Sequence, residues 1–236
     1  MPQPLTILAL GDSLTEGYGL EPDAAFPAAL ERLLRAGGPT GSAIDATVVN
    51  LGLSGDTTAG GLRRLRAWLT RTPGFGNADA KADAAPHTTQ NDEALPARCF
   101  AIVELGANDG FMGLDPEDME ENLAAILTLL AERRVPALLA GFKAEFADDP
   151  DYAEAYDALF PRLAARFGVP LWPYVLDGIW GMPELTLWDG LHPNAAGAER
   201  MAREALPYVL DMIGGAGPTE SNGGATRRIN QATCPF

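Results

Sequence analysis

Residues 5–18 read LTILALGDSLTEGY, an apolar run that ends at Gly11 and is followed at once by Asp12 and Ser13. An uncharged run rich in Leu and Ile is typical of a buried strand, and a glycine directly after it indicates a tight turn. Core packing alone does not require a serine at the end of a buried strand. We therefore interpret this stretch as a strand that presents Ser13 at the edge of a sheet.

The rest of the chain repeats the alternation of short apolar runs with longer amphipathic ones. Strands are predicted at residues 5–10, 46–53, 99–105, 137–142 and 169–175. Helices are predicted at about residues 23–36, 57–71, 116–134, 151–167 and 195–213. Five such alternations predict an α/β fold: a single-domain, three-layer α/β/α sandwich with a five-stranded parallel sheet, of the flavodoxin-like kind.

Two segments lack this alternation. Residues 72–96 (TPGFGNADAKADAAPHTTQNDEALP) show almost no apolar periodicity and are predicted to form a mobile polar surface insertion. Residues 214–236 (GGAGPTESNGGATRRINQATCPF) are predicted to form a flexible polar tail. The sequence therefore predicts one domain at residues 1–213, and neither segment is expected to carry chemistry.

Composition limits the partners and the compartment. The 236 residues are 47% hydrophobic, with a net charge of -15, so phosphate backbones are repelled and no nucleic acid partner is expected. No apolar run reaches the roughly 18 residues of a membrane span, and no signal peptide is visible, so we expect no stable membrane insertion and a cytoplasmic location. A periplasmic or secreted location is the alternative if a signal peptide was removed. Cys99 and Cys234 are expected to be reduced thiols. The oligomeric state stays open.

The informative polar residues lie at predicted strand ends. Ser13 follows the first strand, residues 54–56 (SGD) follow the second, and residues 106–109 (GAND) follow the third. In open parallel sheets, ligands collect at the carboxyl ends of the strands, so these three loops are expected to meet at one edge. The start of the last helix, preceded by Asp189 and His192, is placed to reach the same edge.

These residue types suit acyl transfer by an activated hydroxyl. Ser13 needs a base to accept its proton, and histidine is the usual base because its unperturbed pKa is about 6.5. Of the two histidines, His87 lies in the polar insertion, which leaves His192 as the candidate base. Asp189, three residues earlier, is placed to fix the imidazole tautomer. Neither a metal nor a cofactor is required by this chemistry.

The oxyanion of an acyl-transfer reaction needs hydrogen-bond donors. The backbone amides of Ser13 and Gly55 and the side-chain amide of Asn108 are the predicted donors, each worth roughly 3 to 4 kcal/mol in comparable sites. Asp12 and Asp109 are interpreted as structural hydrogen-bonding partners of neighbouring loops and not as catalytic acids.

Four short motifs carry a resemblance to a known family. Residues 11–14 (GDSL), 54–57 (SGDT), 106–109 (GAND) and 189–193 (DGLHP) resemble, in order, the motif blocks of the SGNH or GDSL hydrolases. The likeness extends loosely over residues 5–210 and is strongest to the bacterial lysophospholipase, thioesterase and arylesterase branch. The insertion at residues 72–96 is longer than compact bacterial relatives have, which affects substrate access and not the chemistry.

The resemblance implies the SGNH hydrolase fold and a serine esterase. It implies the catalytic residues Ser13, Asp189 and His192 and the oxyanion hole Ser13, Gly55 and Asn108. Its expected partner is a small-molecule ester, with short to medium acyl or aryl esters favoured and thioesters and lysophospholipids left open. Substrate contacts are expected from Phe111 and Met112, which directly follow the oxyanion loop, and from Trp188, which precedes Asp189.

Three alternatives remain at this stage. The same triad would serve a carbohydrate O-acetyl esterase. A metal-dependent phosphoesterase would use as ligands Asp12, Asn108, Asp109, Asp189 and His192, but one credible histidine makes it a poor fit. A non-catalytic flavodoxin-like binding module has the same fold without turnover. Each motif alone is more often a turn or a helix cap; their joint placement at one predicted edge favours the serine hydrolase.

Overall fold

The computed structural model, which describes residues 4–37, 41–76 and 98–215, contains five parallel strands in the order β2-β1-β3-β4-β5. The strands are β1 (Leu5–Gly11), β2 (Ala46–Gly52), β3 (Arg98–Glu104), β4 (Ala137–Ala140) and β5 (Leu171–Trp172). Every residue of the interior strand β1 is buried, because helices cover both faces of a parallel sheet. The predicted α/β fold with a five-stranded parallel sheet is confirmed.

In the described part of the chain, seven helices accompany the sheet. They are α1 (Ser13–Glu16), α2 (Phe26–Arg35), α3 (Thr58–Arg71), α4 (Ala107–Phe111), α5 (Pro116–Glu132), α6 (Pro150–Phe167) and α7 (Ala195–Gly214), with a 3₁₀ turn at Pro22–Ala24. Helices α2 and α7 pack together as one layer, and α5 packs against both α3 and α6 as the other. The sequence missed α1 and α4, because helices of four and five residues are too short to show a period.

The fifth strand is much shorter than the predicted 169–175. Gly168 ends α6 in a left-handed conformation, and the amide of Val169 still bonds to the carbonyl of Ala164 in that helix. Pro170 and Pro173 then flank the strand, and neither has an N–H group for the ladder. These three features restrict β5 to Leu171–Trp172 and leave a long connection beyond it.

The first predicted helix, 23–36, is divided in two. A continuous helix would place Pro27 in its interior, where proline removes a hydrogen bond and clashes with the preceding turn. The backbone of Ala25 is extended instead, so that Pro27 falls in the first turn of α2, a position that proline tolerates.

The predicted insertion at residues 72–96 is wrong at its start. Phe75 is fully buried, and its ring lies edge-on to Trp68 of α3 at a centroid distance of 4.9 Å. Gly76 lies close to Val135 and Arg133, so residues 72–76 pack onto the domain. Residues 77–97, which include His87, lie outside the described residues, as does most of the predicted tail from residue 216, which includes Cys234.

Among the described residues, no helix has both the length and the apolar character needed to cross a membrane. Within the same residues, Cys99 is buried and is not part of a disulfide.

Candidate active site

The carboxyl ends of the adjacent strands β2, β1 and β3 are level with one another. Gly11 of β1 lies opposite Gly52 of β2 and Glu104 of β3 in the parallel register. The connections that begin there therefore start at the same height, and they carry Ser13 and its predicted partners. This register explains how residues far apart in sequence meet at one edge.

A tight turn presents Ser13. Asp12 caps helix α1, and its Oδ1 accepts a hydrogen bond from the Leu14 amide at 3.0 Å. A Cβ atom on Gly11 would collide with the side chains of Thr15 and Glu104, so this position requires glycine. These contacts hold the turn in place, with Ser13 at the first position of α1.

Ser13, His192 and Asp189 form one chain of hydrogen bonds. His192 Nε2 lies 3.0 Å from Ser13 Oγ, and His192 Nδ1 lies 2.7 Å from Asp189 Oδ2. The ring of Tyr18 packs against the imidazole at a centroid distance of 4.4 Å. The structure thus brings the three predicted catalytic side chains into the order of a serine hydrolase triad.

Asp189 is held in its ionised form. Its Oδ1 accepts hydrogen bonds from the amides of Leu191 at 2.9 Å and His192 at 3.0 Å. Partial burial alone would raise the pKa of Asp189, but these bonds and the one from the His192 ring outweigh burial and lower it. A carboxylate at Nδ1 favours the tautomer whose Nε2 is free to accept the serine proton.

The three predicted oxyanion donors line one cavity with Ser13. The Ser13 amide belongs to the first turn of α1, where N–H groups have no intrahelical partner. Gly55 has a φ of 77°, a left-handed conformation that favours glycine. The Asn108 side-chain Nδ2 donates to Asp12 Oδ2 at 3.0 Å and to the Asp56 carbonyl at 2.9 Å. These two bonds fix the direction of the Asn108 amide.

Two buried acids lie beneath the turn. Burial raises the pKa of Asp12 to about 7, and the charges of Asp109 and Asp56 add to burial against the opposing Leu14 hydrogen bond. Glu104 is fully buried, and burial followed by the charge of Asp12 raises its pKa well above the ordinary value. Both acids are therefore easier to protonate than carboxyl groups in water.

Glu104 supports the turn directly. Thr15 Oγ1 donates to Glu104 Oε2 at 2.6 Å, while Glu104 Oε1 has no hydrogen-bond partner among the described residues. No sequence pattern distinguishes Glu104, because it is simply the last residue of the strand sequence RCFAIVE.

Asp109 and Asp56 connect the loops to helix α3. Asp109 Oδ1 accepts hydrogen bonds from the Thr58 hydroxyl at 2.6 Å and the Thr58 amide at 3.1 Å. Arg64 binds Asp56 Oδ2 at 2.6 Å and also donates to the Gly11 carbonyl at 2.9 Å. Asp12 and Asp109 thus form the structural contacts that the sequence predicted for them. Arg64 connects the end of β1 to the loop that follows β2.

The cavity beside Ser13 has a volume of about 300 Å³. It extends past α4 to the connections after β4 and β5, which contribute the residues that sequence reasoning missed: Phe142, Lys143, Glu145, Phe146, Tyr174, Leu176 and Trp180. Position after the carboxyl end of a parallel strand, the criterion that identified Ser13, applies to these residues too. Both connections begin at such ends and are rich in aromatic residues.

The predicted substrate contacts divide into two groups. Phe111 lines the cavity, and its ring lies 4.8 Å from that of Phe146 and 6.4 Å from that of Trp180. Met112 and Trp188 do not line it and are 64% and 93% exposed. A residue next to a site in sequence need not face it, since neighbouring side chains point in different directions.

A polar cluster lies among the aromatic walls of the cavity. The Tyr174 hydroxyl donates to Glu145 Oε2 at 3.0 Å, and Lys143 Nζ lies 5.2 Å from the centre of the Tyr174 ring.

Among the described residues, no group of three or more His, Cys, Asp or Glu side chains is arranged to hold a metal ion. The described residues therefore contain no ligand cluster of the kind that a metal-dependent phosphoesterase needs. Two of its candidate ligands, Asp189 and His192, bond to each other instead.

Comparison with known proteins identifies the family. The model of the GDSL-like lipase/acylhydrolase family matches residues 9–200. The chain is 32% identical over 208 residues to thioesterase 1/protease 1/lysophospholipase L1 of Escherichia coli strain K12, covering 88% of this chain and 81% of that protein. It is 28% identical over 207 residues to an arylesterase of Vibrio mimicus, covering 88% of this chain and 85% of that protein.

A solved structure shows the same relationship. The crystal structure of AlinE4, an SGNH-hydrolase family esterase, is 35% identical, with a TM-score of 0.63 over 90% of this chain and 98% of that chain. The resemblance inferred from the four motifs is confirmed. The chain belongs to the GDSL-like lipase/acylhydrolase family and is an ester-hydrolysing enzyme of the SGNH type.

Proposed function

We propose that this protein hydrolyses carboxylic esters through an acyl-enzyme on Ser13, with His192 as general base and acid and Asp189 as the residue that orients the imidazole. The observation that carries this proposal is the continuous hydrogen-bond chain from Ser13 Oγ through His192 to Asp189, placed on the wall of a cavity of about 300 Å³.

In the first half of the reaction, Ser13 Oγ forms a bond to the ester carbonyl carbon while its proton moves to His192 Nε2. The electron pair of the carbonyl bond moves to oxygen and produces the oxyanion. The oxyanion then collapses, the bond to the alcohol breaks, and the departing alcohol takes the proton from His192. Asp189 stabilises the transient imidazolium without becoming protonated.

The second half returns the enzyme to its starting state. Water gives a proton to His192 Nε2 and attacks the acyl carbon, and a second oxyanion forms. When it collapses, the bond to Ser13 Oγ breaks and the proton on His192 returns to the serine. The products are a carboxylic acid and the alcohol already released.

Both oxyanions are proposed to be stabilised by the Ser13 and Gly55 amides and by the Asn108 side chain. Because both N–H groups of the Asn108 amide already have acceptors, one must be shared with the oxyanion as it forms. Because these two bonds hold the Asn108 side chain in place before the reaction, the side chain itself does not have to be ordered when the oxyanion forms.

The proposed substrates are short to medium acyl esters and aryl esters. A volume of about 300 Å³ lies at the lower end of the usual ~300 to 1,000 Å³ for ligand pockets, and the walls are largely aromatic. The names of the relatives extend the candidates to thioesters and lysophospholipids, since the E. coli protein is a thioesterase and lysophospholipase and the V. mimicus protein is an arylesterase.

A substrate panel tests this proposal. Aryl esters, thioesters and lysophospholipids are compared over acyl groups from acetyl to dodecanoyl. We expect kcat/KM to rise with each added methylene by at most about fourfold, which corresponds to ~0.8 kcal/mol, and to fall once the cavity is full. A maximum at the longest chains would contradict the proposed acyl range, and no turnover of any ester would contradict the proposed function.

A further inference from the structure

Among the described residues, the large apolar side chains that are exposed all lie on connections at the carboxyl edge of the sheet. Among the described residues, the large apolar side chains that are 36% to 93% exposed are Tyr18, Leu53, Phe111, Met112, Leu114, Met182 and Trp188. We call this set the apolar rim. Each member either lines the cavity beside Ser13 or lies within three positions of a residue that does.

This distribution is not that of ordinary surface residues. Single exposed apolar side chains are normally scattered over a protein, whereas a concentration at one place marks an interaction site. The rim lies on the connections that follow β1, β2, β3 and β5, all of which leave the same edge of the sheet. Two of its members, Tyr18 and Phe111, line the cavity, so a surface that docks on them also faces the opening to Ser13.

The charges around the rim narrow the choice of partner. The connections that follow the five strands, at residues 12–25, 53–57, 105–115, 141–149 and 173–194, contain one lysine or arginine, Lys143. The same connections contain many acids, and the whole chain has a net charge of -15. An anionic partner is therefore repelled from this edge, while a zwitterionic surface is not repelled, because its outer ammonium groups are positively charged.

We propose that the apolar rim docks on the surface of a zwitterionic lipid assembly, so that an ester held in that surface faces the cavity. Trp, Tyr, Met, Leu and Phe side chains insert at the boundary between head groups and acyl chains, where aromatic rings with a polar atom are favoured. Docking itself does not depend on catalysis, although its use to the enzyme rests on the proposed ester hydrolysis.

Trp188 supplies the spectroscopic signal for this proposal. It is 93% exposed, whereas Trp172 is buried, and Trp68 and Trp180 are partly buried against the core. Transfer of Trp188 from water into a lipid interface should shift the emission of the protein to shorter wavelength. Trp188→Phe is the matched control, because it keeps an apolar ring for binding and removes that emitter.

The experiment uses the full chain with phosphatidylcholine vesicles in a flotation assay. The wild type and Trp188→Phe should float with the vesicles, and only the wild type should show a large blue shift. The double variant Trp188→Ser with Met182→Ser should lose at least about tenfold in vesicle binding, because two inserted side chains are removed. Neither side chain lines the cavity, so hydrolysis of a soluble short aryl ester should stay within about twofold of wild type.

Other outcomes overturn the proposal. Absence of flotation, or equal flotation of the double variant, removes the rim as a lipid-docking surface. Stronger binding to vesicles containing phosphatidylglycerol contradicts the charge argument. A dimer that depends on the rim, without flotation, assigns the surface to a second copy of the chain. Failure of wild type to hydrolyse the soluble ester would instead contradict the proposed function, whatever the flotation result.

Discussion

The side-chain amide of Asn108 bridges two loops, since its Nδ2 lies 3.0 Å from Asp12 Oδ2 and 2.9 Å from the carbonyl of Asp56. This contact holds the donor group against the wall of the cavity that contains Ser13. The orientation of Asn108 therefore depends in part on Asp12, which also caps the serine turn, so one residue contacts both the donor and the turn that carries the nucleophile.

Replacing Asn108 tests the proposed oxyanion donor. Asn108→Ala should lower kcat by about 10² to 10³ with a much smaller change in KM, because the lost bond forms mainly in the transition state. Asn122→Ala is the control, since Asn122 bonds to Thr58 in the adjoining network but does not line the cavity. Steady-state kinetics on a soluble aryl ester gives both constants. A raised KM with unchanged kcat would show that Asn108 only binds substrate.

Replacing Asp189 tests the orientation of the imidazole. Asp189→Asn should lower kcat by roughly 10⁴, because the amide no longer favours the tautomer with a free Nε2. Asp177→Asn, a change at an exposed acid of the same connection, should have little effect on kcat. His192→Ala should be nearly inactive and His87→Ala normal; the reverse result for the two histidines would overturn the assignment of the base.

Replacing Phe111 tests the acyl side of the cavity. Phe111→Ala enlarges the space beside Phe146 and Trp180 and should move the preferred acyl chain to a greater length. Met112→Ala is the matched control, because Met112 is the next residue in the chain and its own side chain does not line the cavity. The measurement is kcat/KM over a series of soluble esters. An unmoved profile in Phe111→Ala, or an equal shift in Met112→Ala, would contradict the assignment.

Glu104 should make the free energy of unfolding depend on pH. The pKa of the Glu104 carboxyl is raised in the folded protein, so the folded protein binds the carboxyl proton more tightly than the unfolded chain does. The free energy of unfolding that this proton contributes is lost as the pH rises. Glu104→Gln removes this loss. The stability of the variant relative to wild type should therefore increase from about pH 5 upward, by at most ~1.4 kcal/mol per pH unit.

Denaturant unfolding of both proteins across about pH 5 to 9 measures this difference. Asp12, whose pKa is also raised, is present in both proteins and contributes to both curves in the same direction. A relative stability that is constant with pH would mean that Glu104 does not hold a proton in the folded state.

The sheet and the convergence of the candidate residues could be predicted because both follow from the alternation of apolar and amphipathic runs along the chain. Apolar runs gave the strands, and the rule that parallel strands share a carboxyl edge placed Ser13, Gly55 and Asn108 together. Their catalytic roles and the predicted domain limits stay predictions. Strand β5 could not be predicted at its true length, because two prolines outweigh its apolar pattern.

Other features depend on packing that no local pattern contains. Glu104 lies beneath the serine turn only because its position in β3 is level with Gly11. Phe75 is buried although its neighbours are polar, since the ring packs on Trp68 of the preceding helix. The cavity wall combines Phe146 with Trp180, which lie on the connections after two different strands.

The identity of the covalently modified residue tests most directly whether Ser13 forms the acyl-enzyme. The wild-type enzyme is treated with an organophosphonate that mimics the acyl-transfer intermediate and is then digested for mass spectrometry. We expect one added group, on Ser13, with loss of turnover in proportion to labelling. The Ser13→Ala protein should fold normally, remain unlabelled and be slower by several orders of magnitude. A label on another residue, or Ser13→Ala activity above about a tenth of wild type, would contradict this role of Ser13.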